Sequence, residues 1–122
     1  MGKFVIKEAK SGPMFNLKAG NGEIIGTSEV YSSKAGCRNG IKSVKKNSAA
    51  ANIEDQTVAG FKKEKCPKFE IYKDKRGEFR FRLKACNGQV ILTGEGYTAK
   101  DGCKNGIESI IKNAKDAEIT VE

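Results

Sequence analysis

The chain repeats itself. LKAGNGEIIGTSEVYSSKAGCRNGIKSVKKNSAAANI, from Leu17 to Ile53, lies without a gap over LKACNGQVILTGEGYTAKDGCKNGIESIIKNAKDAEI, from Leu83 to Ile119, with about half the positions identical. Any fold for this chain must therefore hold two copies of one supersecondary unit. Before Pro13 the offset drops by one, so that KFVIKEAKSG matches KFEIYKDKRG, and Glu78 is the extra residue in the first turn of the second copy. The units are 3–56 and 68–122. The intervening 57–67, TVAGFKKEKCP, is taken as a linker, its Lys62, Lys63, Lys65 and Pro67 reading as a connecting loop. At 122 residues, one domain spanning 1–122 is expected.

Within the second unit, Phe69 and Ile71 alternate with Glu70 and Tyr72, and Phe79, Phe81, Leu83 and Ala85 alternate with Arg80, Arg82 and Lys84. Period two of this kind marks half-buried strands. Asn87-Gly88 then predicts a two-residue type I′ turn with Cys86 facing Gln89. That register sets Leu92 opposite Leu83 and Val90 opposite Ala85 on the buried face, and puts Ile91, Thr93 and Glu95 on the other face opposite Lys84, Arg82 and Arg80. Asn21-Gly22 repeats the arrangement, with Phe4, Ile6, Phe15, Leu17 and Ile24 inward.

A helix follows in each unit. Cys37, Ile41 and Val44 recur at i, i+4 and i+7, as do Cys103, Ile107 and Ile110, which is one apolar stripe per helix. Ser33 or Ser32 caps the first helix, and Thr98 with Asp101 caps the second. The helices end near Asn47 and Asn113, and the segments around Ile53 and Ile119 form a fourth strand per unit. The prediction is an α+β fold of two β-β-β-α-β repeats sharing one antiparallel sheet about a pseudo-two-fold axis, with the C-terminal strands exchanged, because neither unit alone covers enough apolar surface.

Composition works mainly by exclusion. The chain has no histidine, which removes the usual zinc ligand and the usual general base together. Cys37, Cys66, Cys86 and Cys103 are far apart, with no CxxC, so neither a zinc site nor any other cofactor is expected. The N-terminus lacks an apolar signal core and no stretch approaches the roughly 20 apolar residues of a membrane span. A cytoplasmic monomer with reduced thiols, away from the membrane, is the expectation.

The string KFEIYKDKRGEFRFRLKACNGQVILTGEGYTAKDGCKNGIESIIKNAKDAEI resembles the repeat of the YegP-like family of small bacterial and archaeal proteins, a domain of unknown function, and the resemblance covers nearly the whole chain twice. It implies two β3-α-β motifs in a single sheet with swapped C-terminal strands. It implies no activity, cofactor or catalytic residue. The first copy departs from the second in having Met14 and Asn16 where the second has Arg80 and Arg82.

The formal net charge of +8 directs attention to acidic partners and nucleic acid. On the outer sheet face, Tyr72, Arg80, Arg82 and Lys84 form one candidate surface. Arg80 falls there between Tyr72 and Glu95, and Arg82 between Glu70 and Thr93, so cross-strand pairing is the plainer interpretation. On the first helix Lys34, Arg38, Lys42 and Lys45 share a face with Lys46 beside it, and no acid lies between Glu29 and Glu54. With Lys62 and Lys63 of the linker, this stripe is the candidate polyanion-binding surface, of the salt-sensitive kind that needs no sequence preference. In the second helix Glu108 and Ile111 break the stripe.

Cys37 and Cys103 lie in the first helical turns near Lys34 and Lys100, where a thiol can be activated, but both fall on the apolar stripe. Gly36, Gly40, Gly102 and Gly106 cost about 1 kcal/mol each in a helix, so something must approach those backbones closely. The sequence therefore points to a non-enzymatic binding or scaffold domain that takes a polyanion or another acidic partner. One alternative is a thiol-dependent enzyme or redox protein using Cys37 or Cys103. Another is self-assembly through outer-face residues such as Met14, Ile25 and Ile91.

Overall fold

A computed structural model describes residues 2–122. Alternating patterns give the strands β1 (Lys3–Ala9), β2 (Gly12–Lys18) and β3 (Ile24–Thr27), followed by the helix α1 (Lys34–Ala50) and the strand β4 (Asn52–Asp55). The second half repeats the series as β5 (Lys68–Lys73), β6 (Phe79–Lys84), β7 (Val90–Thr93), α2 (Lys100–Asp116) and β8 (Glu118–Val121). All eight strands join one sheet in the order β4-β5-β6-β7-β3-β2-β1-β8. Each half lends its last strand to the other: β4 runs beside β5, and β8 beside β1. Both of these edge pairings are parallel, so the sheet is mixed rather than wholly antiparallel. The helix preceding each exchanged strand carries the chain across the sheet and returns it in the same direction as its new neighbour.

Both helices cover one face of this sheet. Phe4, Ile6, Phe15 and Leu17 from one half, and Phe69, Ile71, Phe81 and Leu83 from the other, point into that layer with no more than 1% exposure. Edge-to-face ring pairs recur in the two halves, Phe4 on Phe15 at 5.5 Å and Phe69 on Phe81 at 5.9 Å. Cys37, Ile41 and Val44 of α1 and Cys103, Ile107 and Ile110 of α2 close the core from above. Each large side chain so buried contributes about 1.5–3 kcal/mol.

The hairpin turns differ from expectation. Among the described residues no non-glycine has positive φ, so Asn21 and Asn87 do not adopt the left-handed conformation a type I′ turn demands of its first central residue. Instead Ala85 N–H bonds to Gln89 O and Gly88 N–H to Ala85 O, a three-residue loop with only Gly88 left-handed at φ 85°. The Asn87 side chain accepts from Gln89 N–H at 3.0 Å. The same loop recurs at Gly22, where Glu23 N–H bonds to Asn21 Oδ1.

A bulge follows each loop. Leu83 still faces Leu92 and Arg82 faces Thr93, but Lys84 pairs with Val90. Ile91, expected on the outer face, therefore turns into the core at 7% exposure. In the first half the same shift leaves Ile24 36% exposed and buries Ile25 at 8%. Ile25 and Ile91 are thus core residues, not outer-face assembly residues.

Helix ends also depart from the prediction. Ser33 caps α1, accepting from Gly36 N–H at 3.0 Å, but the cap position of α2 is Ala99 with no side-chain bond, so Thr98 does not serve. Each helix continues three residues past the expected asparagine, to Ala50 and Asp116.

Candidate functional site

The helical glycines make room for tyrosines. A Cβ on Gly40 would lie 2.1 Å from the Tyr31 hydroxyl, and one on Gly106 would lie 2.4 Å from the Tyr97 hydroxyl. Tyr31 is stacked on Phe15 with ring centroids 6.1 Å apart. These glycines therefore seat an aromatic ring from the segment preceding the helix. Cys37 and Cys103 are fully buried beneath the helices. Burial raises both thiols, Cys103 to about 11 with a further contribution from Asp55, while the nearby Arg38 only partly opposes the rise at Cys37. A buried thiol with a raised pKa is a poor nucleophile, so the geometry gives no support to thiol chemistry at these positions. Among the described residues no three cysteine, aspartate or glutamate side chains gather as a metal site.

On the outer face of the second half, Arg80, Arg82 and Lys84 are neutralised. Arg82 Nε bonds to Glu70 Oε1 and its guanidinium lies over the Tyr72 ring, 4.5 Å from the centroid. Lys84 reaches Glu70 at 3.2 Å, and Arg80 pairs with Asp74 at 2.9 Å rather than with Glu95. Lys68 sits between two buried carboxylates, 2.8 Å from Glu54 and 3.2 Å from Glu70. Segment 56–67 folds over this cluster, with Glu64 N–H donating to Glu54 Oε1 at 2.7 Å. Burial alone would raise the Glu54 carboxyl. Hydrogen bonds from Gln56, Lys68 and the Glu64 backbone outweigh that effect and hold it at about 2.

The basic face of α1 is different. Lys34, Arg38, Lys42 and Lys46 are exposed, and among the described residues none has a carboxylate within ion-pair distance. Lys45 leaves this set, because its ammonium donates to the Ala117 carbonyl at the end of α2 and lies over the Phe4 ring. Lys62 and Lys63 are exposed too, but their loop is fastened through Glu64 to the sheet face opposite the helices. The helix stripe and the linker lysines are therefore not one surface. On α2, Lys100, the counterpart of Lys34, pairs with Asp55 at 2.9 Å.

Two related grooves flank the helices. One runs between α1 and the β6–β7 turn, lined by Asn39, Lys42, Ser43, Lys46, Asn47 and Ala85–Asn87, with a volume of about 370 Å³. Its counterpart, about 570 Å³, lies between α2 and the β2–β3 turn, where Asn105, Glu108, Ser109, Lys112 and Asn113 face Ala19–Asn21. The structural detail is duplicated as well: Asn47 Nδ2 donates to Ser43 O at 2.8 Å, and Asn113 Nδ2 to Ser109 O at 2.8 Å. Sequence reasoning passed over these residues. The signal was nevertheless present, since Asn39, Ser43 and Asn47 recur unchanged as Asn105, Ser109 and Asn113 at positions outside the apolar stripe.

The family model for a domain of unknown function, DUF1508, matches the chain twice, over residues 9–55 and 74–120. The chain belongs to DUF1508. Among its relatives, the UPF0339 protein YegP of Yersinia pestis is 42% identical over 114 residues, covering 93% of this chain and 88% of that one. A UPF0339 protein from the 5′ region of the ptx operon of Stutzerimonas stutzeri is 71% identical over 48 residues, 39% of this chain, and the match spans only 43% of that relative's length. The solution structure of YegP from E. coli, itself described as a protein of unknown function, superposes with a TM-score of 0.79 at 31% identity, covering 99% of this chain and 92% of that one. The fold is thus shared with E. coli YegP over nearly the whole of both chains. Among the described residues no helix is long and apolar enough to cross a membrane.

Proposed function

We propose that this DUF1508 member is a small non-enzymatic binding domain that takes a polyanion on the exposed face of α1. One observation carries the reading. Lys34, Arg38, Lys42 and Lys46 stand in solvent without carboxylate partners among the described residues, whereas Lys68, Arg80, Arg82 and Lys84 on the sheet are each tied to an acid. Unpaired cations on a rigid helix release counterions when a polyanion displaces them, so affinity of this origin falls steeply with salt. The reading further takes the protein to be a cytoplasmic monomer, with its four cysteines as free thiols.

The test is a titration of the purified protein with short single- and double-stranded DNA and RNA and with polyglutamate, at low and at physiological salt. Salt-dependent binding in the wild type that disappears in a Lys34→Glu, Arg38→Glu, Lys42→Glu variant is the expected result. No binding to any of these polymers at low salt overturns the proposal and makes the +8 charge a solubility feature.

A further inference from the structure

From the groove beside α1 we infer the chemistry of the partner: an extended acidic peptide segment of another protein, apolar at one end. The inference rests on the polyanion reading of α1 and narrows it. Two cavities of about 370 and 560 Å³ adjoin along α1, sharing Asn39 and Ser43. Lys42 and Lys46 line one end, and Tyr31, Val90 and Ile91 line the other. The groove is thus cationic at one end and partly apolar at the other. Glu29 lies at the apolar end, so an acidic residue is repelled there and attracted at the lysine end.

The wall between these ends has the spacing of a peptide backbone. Asn39, Ser43 and Asn47 follow one another at four-residue intervals, a rise of about 6 Å per step. An extended chain repeats every two residues, about 6.6–6.8 Å, so Asn39 and Ser43, which reach the surface, meet successive peptide units of the same orientation, with Asn47 buried beneath them. The exposed Asn39 amide offers both a donor and an acceptor, which is what a peptide unit requires, whereas the buried Asn47 amide is already engaged by Ser43 and Cys86. The floor is set before any ligand arrives, because Asn47 is held by Ser43 Oγ at 3.0 Å and accepts from Cys86 Sγ at 3.4 Å. Such preorganisation lowers the entropic cost of binding.

Nucleic acid is the poorer fit. No aromatic ring lines the lysine end, and Tyr31, the ring at the other end, is stacked on Phe15 with its hydroxyl lodged against Gly40. The stacking platform on which single strands rely is therefore missing. The groove beside α2 supplies an internal control. It keeps the Asn-Ser-Asn ladder but replaces Lys42 by Glu108, so its charge is balanced against Lys112.

The experiment uses two fluorescein-labelled twelve-residue peptides of alternating Glu and Ala, one with two leucines at its N-terminus and one with them at its C-terminus. A scrambled peptide and an oligothymidylate of equal length serve as controls. Anisotropy gives affinities, and amide chemical shifts of the intact protein locate the contact. The expected result is preferential binding of one leucine orientation, with shifts at Asn39, Ser43 and residues 86–89. Lys42→Gln with Lys46→Gln weakens it at least tenfold, Asn39→Ala at least threefold, and Glu108→Gln leaves it unchanged. Equal binding of all peptides, or shifts confined to Lys34 and Arg38, overturns the groove inference while leaving polyanion binding standing. Tighter binding of the oligothymidylate within the groove overturns the peptide as ligand. No binding of any of the four at low salt removes the inference and the polyanion reading together.

Discussion

The two halves of the sheet are built alike on the helix face and differently on the other. Register makes Glu70, with Arg82 and Glu54 on either side, the counterpart of Val5, with Asn16 and Thr120 on either side. One half therefore buries an ionic network where the other buries a valine, at 5% exposure, beside an asparagine that bonds to Thr27 at 3.1 Å. The same backbone accepts both solutions. It follows that Lys68, Arg80, Arg82 and Lys84 of β5 and β6 belong to internal charge compensation, whereas Lys34, Arg38, Lys42 and Lys46 of α1 do not. The network crosses the repeats, because Glu54 comes from β4 of the first unit and Lys68, Glu70 and Arg82 from the second.

The sharpest way to break this comparison is at its paired lysines. Lys68 is 5% exposed between two carboxylates, while Lys3, its counterpart, is exposed. Lys68→Ala leaves Glu54 and Glu70 facing each other without their shared cation and is expected to cost about 3–5 kcal/mol in urea unfolding. Lys3→Ala is expected to stay within about 0.5 kcal/mol. Equal losses would mean that the ionic half is not held by its charges.

The same cluster sets the acid limb of stability. A carboxyl held below its unfolded value contributes stability that is complete above that value and disappears as the pH falls to the folded one. For Glu54 the window runs from the ordinary 4.5 down to about 2, and Glu70 shifts in the same direction. Urea midpoints measured across that window should fall with pH in the wild type and fall less in Glu54→Gln, which cannot titrate. A wild-type profile that is flat across the window would contradict the depressed carboxyl.

What could be read from the chain beforehand follows from the range of the interactions. The duplication, the two alternating hairpins, the helix stripes and the exchange of last strands depend on period and on the shortage of core in one unit, and these are legible locally. Asn-Gly misled because it serves two loops, and only the backbone angle of Asn87 distinguishes them; that one residue decides whether Ile91 is outside or inside. The engagement of Lys45 by Ala117, 72 residues away, and the covering of Glu54 by the linker carry no local signature. The glycine spacing announced a close approach without naming the tyrosine. On the candidate site, Lys34, Arg38, Lys42 and Lys46 were legible as an uncompensated face, but the groove was not, because its second wall comes from the other repeat.

A smaller effect probes the join between the halves. Gly26 and Leu92 are equivalent positions, and a Cβ on Gly26 would lie 2.8 Å from Leu92 Cδ2 and 3.1 Å from Ile110 Cδ1. The leucine of one repeat thus occupies the space that its glycine counterpart vacates. Gly26→Leu alone should cost about 1–3 kcal/mol by overpacking. Adding Leu92→Gly moves the side chain to the opposite strand of the pair, and the double variant should recover a large part of the summed single losses in a double-mutant cycle. Simple additivity would mean that the two positions do not share one space.

The smallest difference lies at the helix starts. Two helices of equal length begin with different caps: Ser33 binds Gly36 N–H, whereas Ala99 offers nothing. Ser33→Ala should cost about 1 kcal/mol, because it strands a backbone donor that only water then serves. Ala99→Ser should gain a comparable or smaller amount, since Ala99 has the extended backbone (φ −126°, ψ 147°) a capping serine needs, close to that of Ser33 (φ −149°, ψ 160°). Thermal unfolding of the two variants side by side measures both signs. A gain at Ala99 without a loss at Ser33 would show that α1 starts on the Tyr31 contact rather than on its cap, whereas matched and opposite shifts would show that the cap adds to that contact independently.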